Sequence, residues 1–162
     1  MISLIDEMKW LQAKMLMAEP MLKIRVPRWF RYWMEDDVAK HLPQEAVLAH
    51  KIPRSKEANK ALDEAGIVVP DSHNGAYSAC KRLKLVWEHC VPLSFIYEKL
   101  FECRHSPEKM CETVQSLYRM AWITKDEDNR ISRLGMRSLM PHGWDGTNPY
   151  ARYTKSSISL DG

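Results

Sequence analysis

The sequence predicts a mainly α-helical protein that carries one small β-hairpin late in the chain. Three observations predict it. Apolar residues recur every three to four positions over most of residues 1–121, the period of a half-buried helix. Residues 122–124 and 130–134 read instead as two short strands around the polar cluster 126–129, which has hairpin length. Residues 136–162 lose periodicity and hold Gly143, Gly146 and Pro149, the composition of an irregular arm.

The first helix spans residues 2–17, with Leu4, Ile5, Met8, Leu11, Met15 and Leu16 on its apolar side and Ser3 as a cap. Met8, Trp10, Met15 and Met17 widen that side, so it needs cover from the rest of the chain or from a second copy in a homodimer. Pro20 ends it. Pro27 opens a second helix with Phe30, Trp33, Met34 and Val38 inward. Around Pro27 lies the densest basic stretch, Lys23, Arg25, Arg28 and Arg31, interleaved with Trp29, Phe30, Tyr32 and Trp33. Bases mixed with aromatics suit phosphate contacts and base stacking. Helical periodicity explains the same aromatics as core, with the arginines solvated over it.

Residues 43–51 form a short helix. Ser55 caps the next, with Ala58, Leu62 and Ala65 inward and Gly66 just past its end. Residues 67–69 are apolar and end at Pro70, a short strand placed to join the hairpin. Residues 71–75 are loop-forming and mark a boundary. The division expected is an N-terminal helical region (1–70), a second domain (71–135) and an extended arm (136–162), which docks through Trp144, Tyr150 and Tyr153 because disordered tails are poor in aromatics.

Within the second domain, Cys80, Leu83, Val86, Trp87 and Cys90 define a helix over residues 77–91. Pro92 starts another, with Leu93, Ile96, Tyr97 and Leu100 on one face. The third has the best start signal in the chain: Ser106 as cap, Pro107 at the first turn and Glu108 at the positive end of the dipole. Met110, Val114, Leu117 and Met120 then face inward.

Three short helices followed by a two-stranded ribbon resemble the winged helix-turn-helix superfamily over residues 77–135. The segment SPEKMCETVQSLYRMAWITKDEDNRISRLG is similar to its recognition helix and wing. The resemblance implies a sequence-specific regulator of transcription bound to double-stranded DNA. Lys109, Glu112, Thr113 and Ser116 would face the major groove, with Gln115 and Arg119 at its flanks. Lys81, Arg82, Lys84 and Arg104 would hold phosphate, Arg130 would sit on the return strand, and Arg25, Arg28 and Arg31 would form a second basic patch. The acidic tip, Asp126, Glu127 and Asp128, would repel phosphate there. That tip also suits the other reading, an adaptor or inhibitor that binds a protein such as a polymerase or another nucleic-acid enzyme.

Composition narrows the classes. The 162 residues are 45% hydrophobic and 28% charged, as in ordinary soluble proteins. Net charge is +3 overall, and 0, +2 and +1 over residues 1–76, 77–135 and 136–162, so any basic footprint is local. There is no run of about 18 apolar residues to span a membrane and no leader-like start, which makes the cytoplasm the expected compartment. The cysteines read as buried thiols. His89, Cys90, Cys103, His105 and Cys111 contain no paired-ligand spacing, so no metal is expected. Nucleophile-elbow, phosphate-loop and zinc-protease motifs are absent, Asp36, Asp37 and Asp145 read as solvated, and neither enzyme activity nor a cofactor is expected.

Overall fold

The computed structural model describes residues 2–17 and 26–161. Arg25 of the expected second basic patch lies outside them. The fold is mainly helical around a small mixed sheet. Helix α1 (Leu4–Met17) starts where the Ser3 N–H and hydroxyl both bond to the Asp6 carboxylate, at 3.0 and 2.7 Å. Met8, Leu11 and Met15 bury its inner side. Helix α2 (Arg28–Trp33) runs into a π-helical turn, Met34–Val38, and a 3-10 turn, Ala39–His41. Phe30, Trp33, Met34 and Val38 face inward as the spacing requires, but Trp29 and Tyr32 are exposed.

After α3 (Gln44–Val47) comes strand β1 (Arg54–Ser55), then α4 (Lys56–Glu64). The Ser55 hydroxyl accepts from the Ala58 N–H at 3.0 Å, the expected cap, and Gly66, at φ 62°, closes the far end. Residues 67–69 pair with no strand and Val68 is exposed, because β1 takes the sheet position they were expected to fill.

Helix α5 (His73–Arg82) begins inside the expected loop and stops well before residue 91. Lys84 takes a positive φ of 57°, and the Leu85 N–H reaches back to the Cys80 carbonyl at 3.1 Å. This left-handed turn ends the helix and redirects the chain into β2 (Val86–His89). Val86 and Trp87 therefore hold sheet positions, where β-branched and aromatic side chains pack well, rather than helical ones. Helix α6 (Leu93–Glu102) forms as expected, and α7 (Pro107–Leu117) starts as expected but ends at Leu117, short of Met120, which lies in the next strand. The Ser106 hydroxyl accepts from the Lys109 N–H at 3.3 Å, and Met110, Val114 and Leu117 bury the side of α7 that faces α1 and α6.

The expected hairpin is absent. Strand β3 (Met120–Ile123) pairs antiparallel with β2, Trp122 opposite Trp87, and parallel with β1. The return strand is instead helix α8 (Lys125–Arg133). Its cause is a capping box. The Thr124 hydroxyl accepts from the Glu127 N–H at 3.2 Å, while the Glu127 carboxylate accepts from the Thr124 N–H at 2.8 Å. Asp126, Glu127 and Asp128, read as a hairpin tip, instead complement the helix dipole, and Arg130 and Arg133 do so at the other end.

The arm also contains regular structure. Helix α9 (Ala151–Lys155) and strand β4 (Leu160–Asp161) complete a sheet of order β2-β3-β1-β4, with β4 antiparallel to β1. Strand β3 is buried along its whole length. Met120 and Trp122 belong to a large core that draws on α1, α2 and α4 to α7, so residues on both sides of position 71 share it. Ala121 and Ile123 face a smaller core with Cys90, Ile131, Met136, Tyr153 and Ile158. The period of two thus divides the side chains of β3 between two cores. Among the described residues no helix is long and apolar enough to cross a membrane.

Candidate functional site

A cleft of about 500 Å³ opens on the large-core side of the sheet. One wall is the α2 end and the turns after it, with Arg31, Glu35, Asp36 and Lys40. The other is α5, with His73, Tyr77 and Lys81 at successive spacings of four, which place them on one helix face. Trp87 of β2, with Tyr118 and Met120 at the start of β3, forms the floor.

The α5 wall is aromatic. Tyr77 and Trp87 lie 5.5 Å apart, Trp87 and Trp122 4.8 Å, and His73 stacks along Tyr77 at 6.4 Å. His73 is further held by its Nδ1, which accepts from the Ala49 N–H at 3.1 Å and so places the neutral ring's proton on Nε2. The Lys81 ammonium lies over Tyr77 at 5.4 Å and over Trp122 at 5.8 Å. Among the described residues Lys81 has no carboxylate partner.

On the opposite wall the charges are engaged with one another. Arg31 donates to Glu35 at 2.9 Å and Lys40 to Asp37 at 3.1 Å. Glu35 also approaches Nε2 of His89 at 3.5 Å, and the Tyr118 hydroxyl lies 3.5 Å from the same nitrogen. Burial, then Arg31 and Arg152, push His89 down to about 3, so the imidazole is neutral. Burial drives the Tyr118 phenol well up, against the pull of Arg31. The floor therefore holds a neutral phenol, Tyr118, with the neutral His89 ring behind it, and the charged groups stand at the rim. Among the described residues no three His, Cys, Asp or Glu side chains converge as metal ligands. All four cysteines are unpaired thiols.

Of the residues expected to contact DNA, Lys81 and Arg31 come together in the cleft. Arg28, Arg82 and Lys84 are exposed but do not line it. Lys109, Glu112 and Ser116 are exposed on α7, away from the cleft lining, whereas the Thr113 hydroxyl is occupied by the Lys109 carbonyl at 2.8 Å. Arg119 donates to the Gln115 and Tyr118 carbonyls, both at 2.8 Å. Arg104 donates to the Phe101 carbonyl at 2.9 Å and stacks on that ring. Arg130, on a helix instead of a return strand, donates to the Ser156 carbonyl at 3.2 Å. Glu35, Lys40, His73, Tyr77 and Tyr118 line the cleft without having been singled out in the sequence, and Trp87 was read there only as part of a buried helix face. The four-residue ladder His73–Tyr77–Lys81 is the signal that could have pointed to them. In comparisons with protein-family models, curated proteins and solved structures, none matches the chain.

Proposed function

We propose that the chain binds single-stranded nucleic acid or its nucleotide unit in this cleft, a base resting against Tyr77 and Trp87 and the phosphate reaching Lys81. The observation that carries the reading is Lys81, a cation without a carboxylate partner, poised over an aromatic wall. Stacking on aromatic faces and charge along the backbone are the two terms that hold unpaired strands. A cleft of about 500 Å³ is in the range that encloses a small ligand. On the opposite rim Arg31 and Lys40 are offset by Glu35, Asp36 and Asp37, so Lys81 is the cation that marks the place of the phosphate.

Groove recognition of a duplex by α7 has less support. Its exposed side carries Glu108, Lys109, Glu112, Gln115 and Ser116, two acids to one base, and residues 125–133 form no wing beside it. Nucleic-acid binding is therefore proposed at the cleft rather than at α7.

Fluorescence anisotropy with a labelled single strand and its duplex tests the proposal. The expected result is tighter binding of the single strand, weakened about tenfold by Lys81→Glu and unchanged by Lys109→Glu. Sensitivity to Lys109→Glu with indifference to Lys81→Glu would return the interface to α7. No binding of either probe at low salt would end the proposal.

A further inference from the structure

We infer that the cleft's ligand is a single strand several nucleotides long, whose neighbouring bases are carried by the exposed side of α2 and by Trp10 of α1. The inference rests on the cleft reading and extends it to a partner class and a path.

Helix α2 divides its aromatics. Phe30 and Trp33 are buried, whereas Trp29 is 37% and Tyr32 60% exposed, alternating with exposed Arg28 and Arg31. Trp10 joins them from α1 at 43% exposure. Trp10 and Trp29 are not loose. Trp10 meets Trp29 at 5.5 Å and Trp33 at 5.6 Å, and Trp29 meets Phe30 at 6.2 Å, which packs on Tyr97 at 4.9 Å. Exposed rings braced by buried ones lose little freedom when a base stacks on them.

Cations stand beside the rings. Lys14 lies over Trp10 at 5.3 Å, and Lys9, Lys14 and Arg28 form no ion pair among the described residues. Of the nearby carboxylates, Glu35 is paired with Arg31, Glu7 accepts from the Trp33 indole N–H at 2.9 Å, Asp6 accepts from Ser3, and Glu108 faces Lys9. Arg31 lines the cleft and is the neighbour of Tyr32 on α2, so the same helix borders both the cleft and the exposed rings. Aromatic faces interleaved with cations, of which Arg28 and Lys14 form no ion pair among the described residues, fit a sugar-phosphate chain with splayed bases.

The test is a ladder of oligothymidylates, from the mononucleotide to about twelve residues, titrated against the full chain. Affinity is expected to climb through about four nucleotides or more. The double variant Trp29→Ala/Tyr32→Ala should weaken the long oligomers about tenfold and leave the mononucleotide unchanged. Arg28→Glu should weaken only the long ones too, without removing any packed side chain. Lys81→Glu should weaken every length. A flat ladder, or long-oligomer affinity indifferent to the α2 variants, overturns the platform while leaving the cleft standing. Failure of every length to bind overturns both.

Discussion

The Arg152 guanidinium is completely buried and donates to Glu88 Oε1 at 2.8 Å, joining the last helix to the edge strand of the sheet. Its other N–H groups donate to the Cys90 carbonyl at 2.9 Å, the Met136 carbonyl at 2.8 Å and the His89 carbonyl. One side chain thus closes backbone acceptors of two segments remote in sequence, His89 with Cys90 and Met136. Burial pushes the Glu88 carboxyl upward, and Arg152 pulls it back.

Removing the guanidinium leaves these acceptors and a mostly covered carboxylate without this partner. Arg152→Leu is expected to lower the unfolding free energy by about 3–5 kcal/mol. Arg152→Leu/Glu88→Leu should recover part of that loss, because no charge remains stranded. Urea titration measures both. A loss under about 1 kcal/mol for the single variant would mean that the bonds contribute little to stability.

Glu127 predicts a second sensitivity. One buried oxygen of its carboxylate accepts from the Ser55 hydroxyl at 2.6 Å and from the N–H and hydroxyl of Thr124 at 2.8 and 3.0 Å. The capping box of α8 is thereby tied to the start of α4. Thr124→Ala should cost about 1 kcal/mol, the usual value of a lost cap. Glu127→Ala should cost about 2–4 kcal/mol, since the Ser55 hydroxyl also loses its acceptor. Equal effects of the two substitutions would show that the link to Ser55 adds nothing.

Much of the helical frame was legible because its signals are local. The Ser106–Pro107 start of α7, the Ser55 cap and the buried series Met8, Leu11 and Met15 all rest on spacing within one helix. The sheet was not. Strands β1 and β4 have two residues each, and β2 and β3 four, too short for periodicity to separate from helix. The misread of α8 had a different origin. The pattern Thr124-x-x-Glu127 was present as a capping box, but the acidic cluster also fitted a hairpin turn, and only one apolar residue, Ile131, marked a buried face. The cleft was legible only in pieces. Arg31 and Lys81 were singled out for charge, but their meeting depends on how α2 and α5 pack across the sheet.

Lys84 yields a third prediction. It sits at φ 57° in the turn that stops α5, where a side chain meets steric resistance and glycine does not. Lys84→Gly should raise stability by about 1 kcal/mol. Because Lys84 lies outside the cleft, nucleic-acid binding should stay unchanged. Thermal melting and the anisotropy titration read the two arms, and a destabilised variant would show that the lysine side chain adds more than its backbone strain costs.

The last prediction concerns acid. His89 is depressed in the folded chain to about 3 from an ordinary 6.5, chiefly by burial and further by Arg31 and Arg152. Glu35, 3.5 Å away, favours the charged ring but is itself held by Arg31. Between these two values the unfolded chain takes a proton that the folded chain refuses. The neutral ring's contribution to stability is therefore fully present above pH 6.5 and is lost as pH falls toward 3. Below pH 6.5 the unfolding free energy should drop by up to about 1.4 kcal/mol per pH unit from this residue alone. His89→Phe keeps the ring-on-ring packing with Tyr118 and cannot titrate, so its stability should fall less steeply across the same window. Parallel acid profiles for the two proteins, measured by urea unfolding at successive pH values, would show that the imidazole charges freely in the fold.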